Sequence, residues 1–293
     1  MATLISGEYD LAMAEGTLHY TITGTGPACI ALSGGSGMDP RYFEDLGGLA
    51  DTLTLVMLHP RGAGRSSFPD DSDWRLEGYA RDVEALRRHL GIERPLVLGH
   101  SHGGWIAQHY ALNYPAGPAA LILVNTAART RPASGWNAEE AMRPFANEPW
   151  FAAVRAAWEE VVTPETPPEQ VAARGAAVGN FYFARLTPEV DAHIARVGPL
   201  ACNLASTTRG NGPEQARRDW RDRVPDIQVP TLVLAGRHDW VQTVARAVEL
   251  TGLLPRVELV IFEDTGHFPW VEERQRFHTV IQDFVRRLDP REC

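Results

Sequence analysis

The chain has 293 residues, 44% hydrophobic and 22% charged, proportions of a soluble globular protein. That length suits one core carrying an inserted subdomain better than two large domains. With 37 acidic against 28 basic residues the formal net charge is -9, which argues against a nucleic-acid partner, because phosphate binding needs clustered Lys and Arg. The basic pairs Arg217-Arg218 and Arg286-Arg287 sit in acid-rich helical stretches and read as solvated faces. Cys29, Cys202 and Cys293 are scattered without metal-binding spacing, which fits a reducing compartment. Met1 to Leu11 lacks the basic and apolar regions of a signal peptide, and no apolar run is long enough to span a bilayer. The expectation is a cytoplasmic protein acting on a small molecule, without nucleic-acid or membrane partners, as a monomer or homodimer.

Strand and helix signals alternate through the first part. Thr17–Thr23 reads as a strand, and Gly24-Thr25-Gly26-Pro27 turns into a second strand at Ala28–Leu32. The glycine-rich loop Ser33-Gly34-Gly35-Ser36-Gly37 leads to a helix near Tyr42–Leu53. Strand Thr54–Leu58 is followed by the loop His59-Pro60-Arg61-Gly62-Ala63-Gly64-Arg65-Ser66. Leu76, Tyr79, Val83, Leu86 and Leu90 fall at helical spacing and predict an amphipathic helix over Arg75–Leu90. A strand at Pro95–Leu98, a helix over Ser101–Tyr114 and a strand at Ala120–Val124 follow. The strands are near-continuous apolar runs, as a parallel sheet covered on both faces requires.

At Arg129 the pattern changes. From there to about Arg223 no convincing strand is found, and the segments Glu148–Val162, Pro168–Phe183 and Thr187–Thr207 read as helices. The earlier rhythm then resumes. Strand Thr231–Leu234 ends in Gly236-Arg237-His238-Asp239, and a helix spans Val241–Leu254. Strand Val257–Phe262 ends in Glu263-Asp264-Thr265-Gly266-His267, and a helix runs over Val271–Leu288. The expected organisation is an α/β core of residues 1–128 and 224–293, interrupted by a helical cap at 129–223.

Sites in such sheets form at the carboxyl ends of the strands. Ser101, Asp239 and His267 lie at three of these ends. Gly99-His100-Ser101-His102-Gly103 is a G-x-S-x-G pattern between a strand and a helix, the context of a nucleophile elbow. A serine hydroxyl is a weak nucleophile, so it needs a base, and the base needs an orienting carboxylate. Histidine suits the base role because its ordinary pKa is near neutrality. Asp264 is an alternative acid, but three residues before His267 it is better placed to shape that loop. The strand before the insertion ends in Asn125-Thr126, with no carboxylate to compete. His100 and His102 as metal ligands lack a nearby Cys, Asp or third His. His59 and His238 read as packing or hydrogen-bonding residues. An oxyanion hole needs two donors, one following the nucleophile and one from the loop after an early strand. These are the amides of His102 and Gly35, with Gly34 second; the loop lacks the lysine and spacing of a phosphate cradle.

Ser33-Gly34-Gly35-Ser36-Gly37 is similar to H-G-G-P-G, and Arg61-Gly62-Ala63-Gly64-Arg65-Ser66 to R-G-x-G-R-S. With the elbow, Gly236-Arg237-His238-Asp239 and Gly266-His267, the chain resembles the α/β-hydrolase superfamily over essentially its whole length. Within it the chain is most similar to the proline iminopeptidases (prolyl aminopeptidases). The resemblance implies a mostly parallel central sheet flanked by helices with an inserted helical cap. It implies a Ser101-His267-Asp239 triad and neither cofactor nor metal. The chain departs from the family at Ser33 and Ser36, which replace His and Pro, and at His102, where the peptidases commonly carry Trp. It also has Gly179 in Gly179-Asn180-Phe181-Tyr182-Phe183, where an E-N-x-Y-F-like stretch has the glutamate that meets a substrate's ammonium group. Arg237 stands where some relatives place another glutamate.

The expected function is therefore hydrolysis of an ester, amide or lactone through an acyl-enzyme. Aminopeptidase activity of the iminopeptidase type is one alternative; a non-hydrolytic lyase, cyclase or small-ligand receptor on the same fold is another. Gly34, Trp158, Phe181, Tyr182 and Arg237 are candidate substrate-binding residues. Trp136, Trp150 and Phe183 are further aromatics of the cap. Glu159, Glu160 and Glu214 are the carboxylates that could replace the missing ammonium anchor.

Overall fold

The computed structural model describes residues 4–69, 71–130, 139, 142–160, 163, 166–198, 200 and 218–288. Trp136, Cys202, Glu214, Arg217, Cys293 and the last part of the helix expected at Thr187–Thr207 lie outside the described residues. The strands are β1 (Gly7–Ala12), β2 (Thr17–Thr23), β3 (Ala28–Leu32), β4 (Thr54–Leu58), β5 (Leu96–His100), β6 (Ala120–Val124), β7 (Thr231–Gly236) and β8 (Val257–Phe262). They form one 8-stranded sheet in the order β1-β2-β4-β3-β5-β6-β7-β8. From β4 to β8 every pairing is parallel; β2 meets β4, and β1 meets β2, antiparallel. β4, β5, β6 and β7 are buried at every position, whereas the edge strands β1 and β8 are partly exposed.

Alternation along each strand sends side chains to two cores. Ile30, Leu32, Val97, Leu121 and Val233 pack under α1 (Leu76–His89) and α2 (His102–Asn113). The intervening Ala31, Leu98, Ile122, Leu232 and Leu234 face the other side. There they meet Phe277, Ile281 and Phe284, residues of the long C-terminal helix. Between β6 and β7 the regular elements among the described residues are helical: α3 (Phe151–Glu159), α4 (Pro168–Val178) and α5 (Pro188–Val197), with short 3-10 turns. α3 and α4 share a small core of Met142, Phe145, Val154, Val178 and Phe181 with Trp240 from the loop after β7. The remaining helices are α6 (Val244–Thr251), α7 (Pro269–Glu272) and α8 (Arg274–Arg287). No helix among the described residues is long and apolar enough to cross a membrane.

One local expectation changes here, and one strand has none. The helix expected near Tyr42–Leu53 is two 3-10 segments, Pro40–Phe43 and Leu46–Asp51: Glu44 at φ 52° ends the first, and Gly47 and Gly48 at φ 68° and 85° kink the second. β1 carries no sequence expectation, since its half-exposed pattern offers only one weak apolar face.

Candidate active site

The strand order reverses at β3, which has β4 on one side and β5 on the other. In doubly wound sheets such a reversal places the ligand site above the carboxyl ends of the strands on either side of it, here β3 and β5. Ser101 follows β5 at φ 51° and ψ -115°, a conformation costly for a residue with a Cβ. Close packing enforces it. A methyl group on Gly99 would collide with the Gly103 carbonyl, and one on Gly103 with the backbone carbonyls of Leu32 and Ser33. Backbone bonds fix the elbow: Ser101 N–H donates to the Val124 carbonyl at 2.9 Å, and Thr126 Oγ1 donates to the Ser101 carbonyl at 2.8 Å.

The glycine loop after β3 lies against this turn. A Cβ on Gly34 would stand 2.8 Å from His100 Nδ1 and 2.9 Å from Ser101 Cβ. Gly34 N–H already donates to the Tyr42 hydroxyl at 2.6 Å, so it is not a free donor for a substrate. Gly35 has φ +62°, and a Cβ there would strike Met38. His102 opens α2, where first-turn N–H groups lack intrahelical acceptors. Its ring is buried between Tyr79 and Trp105 with centroids 5.4 Å from each, and burial pushes it down to about 4.

His267 and Asp239 meet across the ends of β8 and β7. His267 Nδ1 lies 2.6 Å from Asp239 Oδ2, both residues buried. Asp239 Oδ1 accepts the Val241 and Gln242 N–H groups at 2.8 and 2.9 Å, which locks the carboxylate. A carboxylate only accepts, so Nδ1 carries the proton and Nε2 keeps its lone pair. The His267 ring lies 4.5 Å from that of His100, next to Ser101 in sequence. Asp264 instead is exposed and paired with Arg185. Among the described residues no three His, Cys, Asp or Glu are grouped to hold a metal ion.

The substrate-binding candidates separate. Tyr182 is at the site: its ring lies 5.5 Å from that of His267, and its carbonyl accepts the His267 N–H at 2.6 Å. Burial, and then Asp239, push its hydroxyl up to about 12. Phe181 is fully buried among Phe145, Trp150, Phe151 and Trp240, which makes it a packing residue. Trp158 is half-buried, 5.1 Å edge-on to Trp240. Arg237 is exposed and pairs with Glu263 through two 2.8 Å bonds. Glu159 is an exposed partner of Arg155, and Glu160 is exposed. The R-G-x-G-R-S stretch is scaffold. Arg61 is buried against Asp82 with bonds of 2.7 Å, and Ser66 Oγ bonds the His59 carbonyl at 2.6 Å.

Two organising residues escape the sequence reading. Asn125, at φ 46°, donates from Nδ2 to the Gly266 carbonyl at 3.0 Å and accepts the Gly236 N–H at 2.8 Å, joining the two loops that carry Asp239 and His267. Its only sequence signal is its place at the end of β6. Glu272 is the other. Its carboxylate accepts Gly266 N–H at 2.8 Å and Ala184 N–H at 2.6 Å, clamping the Tyr182–Ala184 segment to the His267 loop.

Burial, reinforced by Asp239 and opposed by the backbone N–H groups, pushes Glu272 from 4.5 up to about 7. A raised folded-state value means the folded protein holds a proton that the unfolded chain has lost between these two pH values. The contribution to stability is then fully present below about 4.5 and lost as pH rises through about 7. At about 1.4 kcal/mol per pH unit the scale is about 3 kcal/mol. Glu272→Gln is expected to remove this dependence. Calorimetry of parent and variant from about pH 5 to about pH 8 checks it, and parallel Tm curves would contradict it.

A family model described as the alpha/beta hydrolase fold matches residues 31–273. The chain belongs to the α/β-hydrolase fold family. This hydrolase is 29% identical over 284 residues to a proline iminopeptidase of Lactobacillus helveticus, covering 92% of this chain and 95% of that protein. The structure of a proline iminopeptidase from Mycobacterium smegmatis superposes with a TM-score of 0.72 at 26% identity, covering 96% of this chain and 98% of that one. An esterase from Exiguobacterium antarcticum superposes with a TM-score of 0.73 at 21% identity, covering 92% and 96%, which is a likeness of fold.

Proposed function

We propose that this hydrolase cleaves an ester, amide or lactone of a small molecule through an acyl-enzyme on Ser101. The observation that carries the reading is the 2.6 Å contact of His267 Nδ1 with the locked Asp239 carboxylate, together with a strand-end serine held at positive φ. His267 Nε2 takes the Ser101 proton as Oγ adds to the carbonyl carbon, and later delivers it to the leaving group. The amides of Gly35 and His102 receive the oxyanion. Water activated by the same imidazole then releases the acid. Residues 129–223 act as a cap, with Tyr182 forming a wall beside the base.

The preferred acyl group is neutral rather than a free-amine prolyl group. Gly179 puts no carboxylate at the family's ammonium anchor, although there is room for a side chain: a methyl group there would have Ile194 as its nearest neighbour, at 3.8 Å. Among the described residues, Glu272 is engaged with backbone N–H groups and Glu44 with His193 and Arg196. Opposite charges about 4 Å apart at an effective dielectric near 20 attract by roughly 4 kcal/mol, so the lost partner is worth up to about a thousandfold in kcat/KM. Arg237 lies in an exposed, solvent-screened pair with Glu263, so it adds little repulsion. The second reading, a prolyl aminopeptidase, is favoured by the relatives of that name.

A comparison of a prolyl arylamide, its N-acetylated counterpart and a neutral p-nitrophenyl ester of similar size separates the two. The ester is expected to win by at least about a hundredfold in kcat/KM. Selective cleavage of the free-amine substrate would establish the aminopeptidase instead. Tight binding with no turnover of any of the three would point to a receptor.

A further inference from the structure

We infer that Tyr42 and His100 are positioning residues that tie the oxyanion loop, the serine elbow and the loop of the histidine base into one register, a role that rests on the hydrolytic reading above. The Tyr42 hydroxyl accepts the Gly34 N–H at 2.6 Å and lies 2.6 Å from His100 Nδ1. His100 Nε2 lies 3.0 Å from the carbonyl oxygen of His267.

The direction of this chain follows from valence. A carbonyl can only accept, so His100 Nε2 carries the ring proton and Nδ1 is bare. The bare nitrogen accepts the Tyr42 O–H, and the phenol oxygen is left to accept from Gly34. Each buried polar atom then has one role, and no alternative arrangement satisfies all of them. The rings of Phe43, Phe268 and Trp270 surround His100 with centroids 6.1, 5.5 and 4.8 Å away and exclude water. Burial, with His267 next to it, holds His100 well below the ordinary histidine range, and burial holds Tyr42 above the ordinary tyrosine range. Both stay neutral near pH 7, so the direction does not change.

The three segments hang from β3, β5 and β8, and each could drift on its own strand end. Gly34 precedes the proposed donor Gly35, His100 precedes Ser101, and the third anchor is the backbone of His267 itself. One hydrogen-bonded chain therefore sets the spacing of donor, nucleophile and base. Stabilisation of a developing charge is steep in donor position, so a small drift lowers turnover more than ground-state binding.

The test combines a spectrum with kinetics. In two-bond 15N correlation spectra of the labelled parent, His100 is expected to show a protonated Nε2 and a bare Nδ1, unchanged from about pH 5 to about pH 9. Tyr42→Phe is expected to lower kcat on a p-nitrophenyl ester about tenfold or more, with KM within about twofold, and to move the His100 Nδ1 resonance as that nitrogen loses its donor while Nε2 stays protonated on the His267 carbonyl. A protonated Nδ1 in the parent, titration of the ring in that range, or a folded Tyr42→Phe protein with kcat within about twofold of the parent would overturn the inference. The parent spectrum needs no variant, so it decides even if Tyr42→Phe folds poorly. Turnover surviving in Ser101→Ala would instead sink the hydrolytic reading and leave the tautomer result standing.

Discussion

Ser101→Ala is expected to abolish turnover while the protein stays folded. In serine triads generally, loss of the nucleophile removes as much activity as loss of the whole set, on the order of 10⁶ in kcat. The fold should tolerate the change for specific reasons. Alanine keeps the Cβ that packs against Gly34, and the bonds that hold the elbow run through the backbone N–H and carbonyl of residue 101. The expected result is a drop of at least about 10⁴ on a p-nitrophenyl ester, with Tm within a few degrees of the parent and no labelling by a fluorophosphonate probe. An Ala variant labelled as fully as the parent would place the nucleophile elsewhere.

Asp239→Asn is the second large effect, expected to lower kcat by about 10⁴. The carboxylate accepts from His267 Nδ1 and from two backbone N–H groups, so it sets the imidazole tautomer. An amide turned to keep the backbone bonds presents N–H groups to His267. The ring then answers with a bare Nδ1 and a protonated Nε2, which cannot take the serine proton. Asp264→Asn removes only an exposed pair with Arg185 and is expected to change kcat by less than about twofold. Measuring both variants on the same ester checks the ranking, and the opposite order would transfer the acid role to Asp264.

Much of this is legible in the chain itself. The elbow is a local device, with glycines two residues either side of Ser101 where strand and helix backbones nearly touch, so a few residues in a row reveal it. β4 and β6 run over the same residues the apolar runs predict, because buried parallel strands leave an uninterrupted apolar signature. The order Ser101, Asp239, His267 along alternating strands and helices likewise points to a doubly wound sheet with its site at the carboxyl ends. Edge strand β1 and the broken turns at 40–51 leave no such trace, since the first has little apolar surface and the second depends on positive φ at Glu44, Leu46, Gly47 and Gly48.

What required the folded chain is everything decided by side-chain direction and distant backbone. Asp239 and Asp264 both follow strands, and their separation into the partner of His267 and the partner of Arg185 depends on which way each loop turns. Arg237 sits only two residues before Asp239, yet its guanidinium reaches the surface and Glu263. Tyr42 lies 58 residues from His100, and Glu272 lies 88 from Ala184. Their partners are a ring nitrogen and backbone N–H groups, which carry no residue-type signature. Asn125 is the intermediate case: visible at a strand end but legible as a missing acid, its amide turns out to bridge two loops because an amide can donate and accept at once, which a carboxylate cannot.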